Sequence, residues 1–172
     1  MLKLIGAVMI FGSCAALGLS ARQRLRQRVA ADDAMLLALS LIAGEIACRR
    51  APLPEIVAML AENEQPIVRQ VFCGLRRRLR EQNGLSFHYL WCANLRDCRA
   101  AIGLGAAECD ILCQAADHLG RYDAEEQVEG LRQVRQRLTA ARAAAAGELH
   151  DKGALYRTCG IAVGILVILI LI

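Results

Sequence analysis

Two pairs of ligand-type residues sit four apart in this 172-residue chain: His88 with Cys92, and Cys109 with Cys113. On a helix that step puts both members of a pair on one face. Together the pairs offer one imidazole and three thiolates, a donor set that could hold zinc tetrahedrally or make a metal- or redox-responsive sensor. Packing is the stronger reading. Cys109 and Cys113 fall on a stripe with Leu112 and Ala116, where small apolar thiols serve a core seam. Neither H-E-x-x-H nor C-x-x-C occurs, and no G-x-x-x-x-G-K-[ST] is present to cradle a nucleotide phosphate. "GLGAAE" is too loose to serve as a phosphate loop. A cysteine nucleophile needs a base oriented by an acid, and the spacing places no His–acid pair beside one. The acids Asp32, Asp33, Asp97, Asp110 and Asp117 are scattered and read as caps or solvated faces. The residues therefore point to no cofactor, no bound metal and no active site.

The elements that would position these residues are helices. Apolar residues recur every three or four positions, only 3 prolines are present, and strand-like alternation is short-lived. Leu25, Val29, Leu36, Leu39, Ala43 and Ile46 line one face of a first helix that "APLPE" ends, because Pro52 and Pro54 cannot continue its interior. A short helix over 54–62 turns Ile56, Met59 and Leu60 inward. From Pro66, Ile67, Val71, Phe72, Leu75 and Leu79 form a stripe up to the turn signal "QNG". Phe87, Trp91, Leu95, Cys98 and Ile102 share the next face, which Gly103 and Gly105 break. Cys109, Leu112, Cys113, Ala116 and Leu119 follow, with Gly120 as the closing glycine. Asp123 starts the last helix with Glu126 as its capping-box partner. Leu131, Val134, Leu138, Ala141 and Ala145 run at seam spacing, and Gln127 on the same seam must find hydrogen-bond partners. The expectation is an all-α antiparallel bundle of about six helices.

Both ends read as membrane anchors. Residues 4–21 carry no charge and span ~27 Å as a helix; residues 154–172 span ~28 Å with Arg157 as their one charge. Ten of the last twelve residues are Ile, Leu or Val, giving about −3 to −6 kcal/mol of insertion free energy. A cleaved signal peptide is the rival for the first run. Its length and its unbroken passage into "ARQRLRQR" favour an uncleaved anchor over 1–21. Arg22, Arg24, Arg26 and Arg28 at one span, and Lys152 and Arg157 at the other, place residues 22–153 in the cytoplasm and both tips outside. The second span stops at the far headgroups, where the free carboxylate meets water. Gly160 and Gly164 would let helix backbones approach closely in lipid, within one chain or across subunits of a homo-oligomer. The middle mixes charges, with 21 Lys and Arg against 17 Asp and Glu overall, which argues against a nucleic-acid surface. "LRRRLR" at 75–80 is a solvated face, or a patch for anionic lipid or an acidic partner. Six of the eight cysteines fall in the cytoplasmic middle and are expected to stay reduced.

The chain resembles the stage III sporulation protein AB family. The resemblance is carried by "MLKLIGA", by "LIAGEIACRRAPLPE" with Pro52, by Leu119, Gly120, Asp123 and Gln127, and by "LYRTCGIAVGILVILILI" with Tyr156 and Arg157. Residues 62–118 match only in character. The resemblance implies a non-enzymatic scaffold similar to the F platform proteins of type II secretion. Its cytoplasmic helical domain would sit beside a separate assembly ATPase and other membrane subunits. It further implies a channel complex between mother cell and engulfed forespore, with this chain in the mother-cell membrane. The motif positions have structural readings as well: Leu119 and Gly120 end one helix, Asp123 starts the next, and Gln127 hydrogen-bonds inside.

Overall fold

A computed structural model describes the backbone of residues 2–81, 84–120 and 123–171, and the side chains of residues 20, 22–81, 84–120 and 123–150. Six helices follow one another: α1 (Leu2–Arg49), α2 (Leu53–Leu60), α3 (Pro66–Glu81), α4 (Phe87–Ile102), α5 (Ala106–His118) and α6 (Ala124–Leu171). There is no strand among the described residues. The chain divides into two compact units, Met1–Arg26 with Ala144–Ile172, and Gln27–Ala143. The first consists of the outer ends of α1 and α6. Among the described residues no helix is long and apolar enough to cross a membrane. The side chains of the two expected spans, including Tyr156, Arg157, Gly160 and Gly164, lie outside the described residues.

Local chemistry sets the boundaries in the Gln27–Ala143 unit. Pro52 stands extended just before α2 (φ −68°, ψ 144°), so α2 opens at Leu53 and closes at Leu60, a residue or two earlier than expected at each end. Pro66 begins α3, where its missing N–H is harmless. The Gln65 Oε1 accepts from the Ile67 N–H at 2.7 Å and the Val68 N–H at 3.3 Å, satisfying donors the first turn leaves open. Ser86 caps α4 by accepting from the Tyr89 N–H. α4 stops at Gly103 in the left-handed region.

The core of this unit collects the buried faces of all six helices. Trp91, Phe72, Met35, Leu39, Leu75, Leu112, Leu131 and Leu138 are among its largest fully buried side chains, each worth about 1.5–3 kcal/mol of transfer free energy. Trp91 is its hub. Its ring lies 5.6 Å from Phe72 and 6.2 Å from Phe87, and its indole N–H donates to the Leu112 carbonyl at 2.7 Å. The stripes expected for α3 and α5 hold closely, with Val68 added in α3. α4 keeps Trp91, Leu95 and Ile102 but also buries Leu90, Cys92 and Asn94, with Phe87 and Cys98 only half-buried. Two other faces differ. α1 buries Ala31, Ala34, Met35, Ala38, Leu39, Ile42 and Ile46, while Val29, Leu36 and Ala43 are only half-buried. Three alanines let neighbouring helices approach, and a stripe chosen for its largest apolar residues is rotated away from them. In α2, Met59 is exposed and Val57 is buried instead.

Candidate functional site

Residues from two stretches that carry the resemblance, "LIAGEIACRRAPLPE" and residues 119–127, meet at one groove. Pro52, Gly120, Asp123 and Gln127 line it together with Ile46, Arg50, Ala51, Leu53 and Ala124, around about 320 Å³. The groove lies where helix ends come together. α1 finishes with the Arg50 N–H bonded back to the Ile46 carbonyl (3.1 Å) and the Ala51 N–H to the Glu45 carbonyl (3.4 Å). That closure puts Arg50 at φ +48°, the one described non-glycine residue with positive φ. A left-handed conformation costs a residue with a Cβ on the order of 1–2 kcal/mol, and such strain gathers at functional sites. Arg50, Pro52 and Asp123 are exposed, so the groove presents a cation, an acid and a rigid pyrrolidine to solvent.

The opposite wall depends on Gly120. Its φ is +80°, and a Cβ there would stand 3.0 Å from the Leu53 Cδ1. Its N–H donates to the Gln127 Oε1 at 3.3 Å. Gln127 is thus half-buried and partnered, as its place on the seam requires. Asp123 stands immediately before α6, and its carbonyl accepts from the Gln127 N–H at 3.0 Å. Leu119 is buried and belongs to the core. Sequence reasoning reached Pro52, Gly120, Asp123 and Gln127 singly and missed that they share one surface. It named Arg50 only within "LIAGEIACRRAPLPE" and gave it no role of its own.

The second constellation lies between α4 and α5, which pair antiparallel. His88 Nδ1 is 2.9 Å from Asp117 Oδ1, and His88 Nε2 is 3.5 Å from Cys92 Sγ. The Cys92 thiol reaches the Cys113 carbonyl at 3.9 Å, and Cys109 lies one turn before Cys113 on the same helix. Burial pushes the Cys113 thiol far up, and the neighbouring Cys92 and Cys109 add to the rise. Burial also raises Cys109, against the hydrogen bond from Cys113. Nearby, burial pushes Cys98 up to about 11. His88, Cys92, Cys109 and Cys113 therefore do come together, but as a chain rather than a cage. Among the described residues no group of three or more His, Cys, Asp or Glu side chains is placed to hold a metal ion. One expectation is corrected: a His–acid pair does stand beside a cysteine. Asp117 is 29 residues beyond His88 and faces it only because α5 folds back along α4.

A second correction concerns the acids. Asp33 is exposed, with both oxygens engaged by Arg142 of α6 (2.8 and 3.2 Å). Asp32, by contrast, is fully buried, and neither of its carboxylate oxygens has a hydrogen-bond partner. Beside it, Glu108 of α5 is equally buried and takes a salt bridge from Arg28 of α1 at 2.5 Å through one oxygen, leaving the other unpaired. Gly105 makes room for this contact, since a Cβ there would lie 1.9 Å from the Glu108 Oε2. Burial, reinforced by the Glu108 charge and opposed by Arg28, pushes Asp32 up to about 7.

Fold and site define the class first: an all-α bundle whose singular residues frame a surface groove between helix ends. The chain belongs to the stage III sporulation protein AB family, whose model matches residues 3–172. A solved structure of "Stage III sporulation protein AB (SpoIIIAB)" is similar at a TM-score of 0.62 and 21% identity, over 72% of this chain and 96% of that one. At that identity the likeness shows the fold. No curated protein sequence matches the chain.

Proposed function

We propose that the chain is a membrane-anchored, non-catalytic scaffold of a secretion-like channel complex in sporulation, and that the groove at Arg50, Pro52, Gly120, Asp123 and Gln127 is where the bundle docks a separate secretion-type ATPase. The observation that supports this most is the convergence of the resemblance-bearing residues. Pro52 and Gln127 are far apart in sequence yet line one wall-to-wall groove, and Pro52, Asp123 and Gln127 contribute no buried core side chain. The apolar runs at 4–21 and 154–172 supply the anchors, with the bundle on the cytoplasmic side of the mother-cell membrane and both tips across it.

The test is co-purification of the full chain with a secretion-type ATPase co-expressed from the same genome. Asp123→Lys reverses the exposed acid. Arg50→Asn removes the cation while tolerating the left-handed backbone. Each change is expected to weaken capture of the ATPase by roughly tenfold, the usual scale for a charge at the centre of an interface. Deletion of the gene is expected to stop sporulation after engulfment. Capture unchanged in both variants would remove the groove from the interface, and normal sporulation of the deletion strain would remove the scaffold reading itself.

A further inference from the structure

We propose that Cys92 is a peroxide-reactive thiol, activated by His88 and Asp117 and resolved by Cys113, so that hydroperoxide locks α4 to α5 through a disulfide. This goes beyond the scaffold reading and does not depend on it. The geometry points there in three steps. Asp117 Oδ1 lies 2.9 Å from His88 Nδ1, so the ring proton sits on Nδ1 and Nε2 is left with its lone pair. Nε2 faces Cys92 Sγ at 3.5 Å and can take its proton. The side chains of His88 and Asp117 are 40% and 54% exposed, so the relay opens to water although Cys92 itself is 5% exposed. Cys113 then stands opposite on the facing helix, its carbonyl 3.9 Å from the Cys92 sulfur.

The chemistry closes without any group the protein lacks except the oxidant. Cys92 passes its proton to His88 Nε2 and attacks the near oxygen of the hydroperoxide. An S–O bond forms, the O–O bond breaks, and the leaving oxygen collects the proton from His88 as water or alcohol. Cys92 is now a sulfenic acid, oxidised by two electrons as the peroxide is reduced by two. The Cys113 sulfur attacks the Cys92 sulfur, an S–S bond forms, and the hydroxyl leaves as water with the Cys113 proton. The net reaction consumes one hydroperoxide and two thiols and yields one disulfide, water and the alcohol or a second water. Burial keeps Cys113 protonated, which slows the second step and gives the sulfenic acid a lifetime.

The exposed Cys48 is an internal reference. The detergent-solubilised full chain would be treated with limiting hydrogen peroxide, trapped with dimedone and digested with trypsin. Cys92 then lies in peptide 81–96, Cys109 and Cys113 in 100–121, and Cys48 in 29–49. Cys92 is expected to oxidise about tenfold faster than Cys48, the size of advantage a paired imidazole gives a thiol. The product is a cross-link between 81–96 and 100–121. In Cys113→Ser the dimedone adduct accumulates on Cys92. His88→Gln should bring Cys92 below Cys48. Asp117→Asn, at a position 54% exposed, should slow Cys92 several-fold and move its pH profile. Oxidation of Cys92 no faster than Cys48, or a rate unchanged in Asp117→Asn, would overturn the proposal.

Discussion

Asp32 lets the buried electrostatics be tested with one substitution. It faces Glu108 from α5, Arg28 and Asp33 from its own helix, and Arg142 from α6. The acids and the burial outweigh the arginines, so the folded carboxyl titrates at about 7 against an ordinary 3.8. The folded state thus holds a proton that the unfolded chain releases above pH ~4. Between about pH 4 and 7 the folded state binds more protons than the unfolded state, and stability falls as pH rises. It levels off above pH 7, once both states are ionised. A gap of about three units at 1.4 kcal/mol each gives a loss of ~4 kcal/mol across that window. Asp32→Asn holds the site neutral at every pH with nearly the same shape. The variant should match the parent near pH 4 to within about 1 kcal/mol and exceed it by a few kcal/mol at pH 8. Urea unfolding followed by Trp91 emission reads this well, because the single tryptophan is buried against Leu112 and Phe72. The difference between variant and parent also cancels every other titration that the two share. A difference that stays constant from pH 4.5 to 8 would mean that Asp32 is solvated, and the reasoning would be wrong.

Two further outcomes follow from the same packing. Arg28→Met removes the cation paired with the buried Glu108 carboxylate at 2.5 Å; stranding such a charge should cost about 3–5 kcal/mol by urea unfolding at pH 8, and a loss under about 1 kcal/mol would mean that water reaches the carboxylate. Gly120→Ala puts a Cβ at φ +80° and 3.0 Å from Leu53; a loss of about 1–2 kcal/mol is expected, along with weaker ATPase capture, and an unchanged melting curve would mean that the backbone relaxes freely there.

Helix number and most core stripes were legible in the sequence because both are local. The α3 and α5 faces could be read from three- and four-residue spacing, and the glycines and prolines marked the ends. What was not legible depended on partners distant in sequence. Asp32 has the neighbourhood of a solvated residue, with Asp33 next to it and arginines one turn before. It is buried where Glu108 of α5 and Arg142 of α6 come up beside it. The alanine face of α1 was hidden for a related reason: a scan for large apolar residues favours Val29 and Leu36, yet Ala31, Ala34 and Ala38 are the ones that let other helices in. His88 with Cys92 was visible as an i, i+4 pair, whereas Asp117 required the antiparallel return of α5.

The groove follows the same division. Each of its residues has a local reason to exist: a chain reversal after α1, a proline before α2, a positive-φ glycine after α5, a glutamine at the first turn of α6. Those reasons fix the backbone of the groove by short hydrogen-bonded closures at Arg50, Ala51 and Gly120. A surface built in this way keeps its shape whether or not a partner is present, and little ordering entropy is lost when something docks. The exposed side chains on that frame, Arg50 and Asp123, are then free to set which partner is accepted. Substituting them should change binding with little effect on stability, while substituting Gly120 should change both. That separation distinguishes a docking surface from a set of helix ends that merely happen to meet.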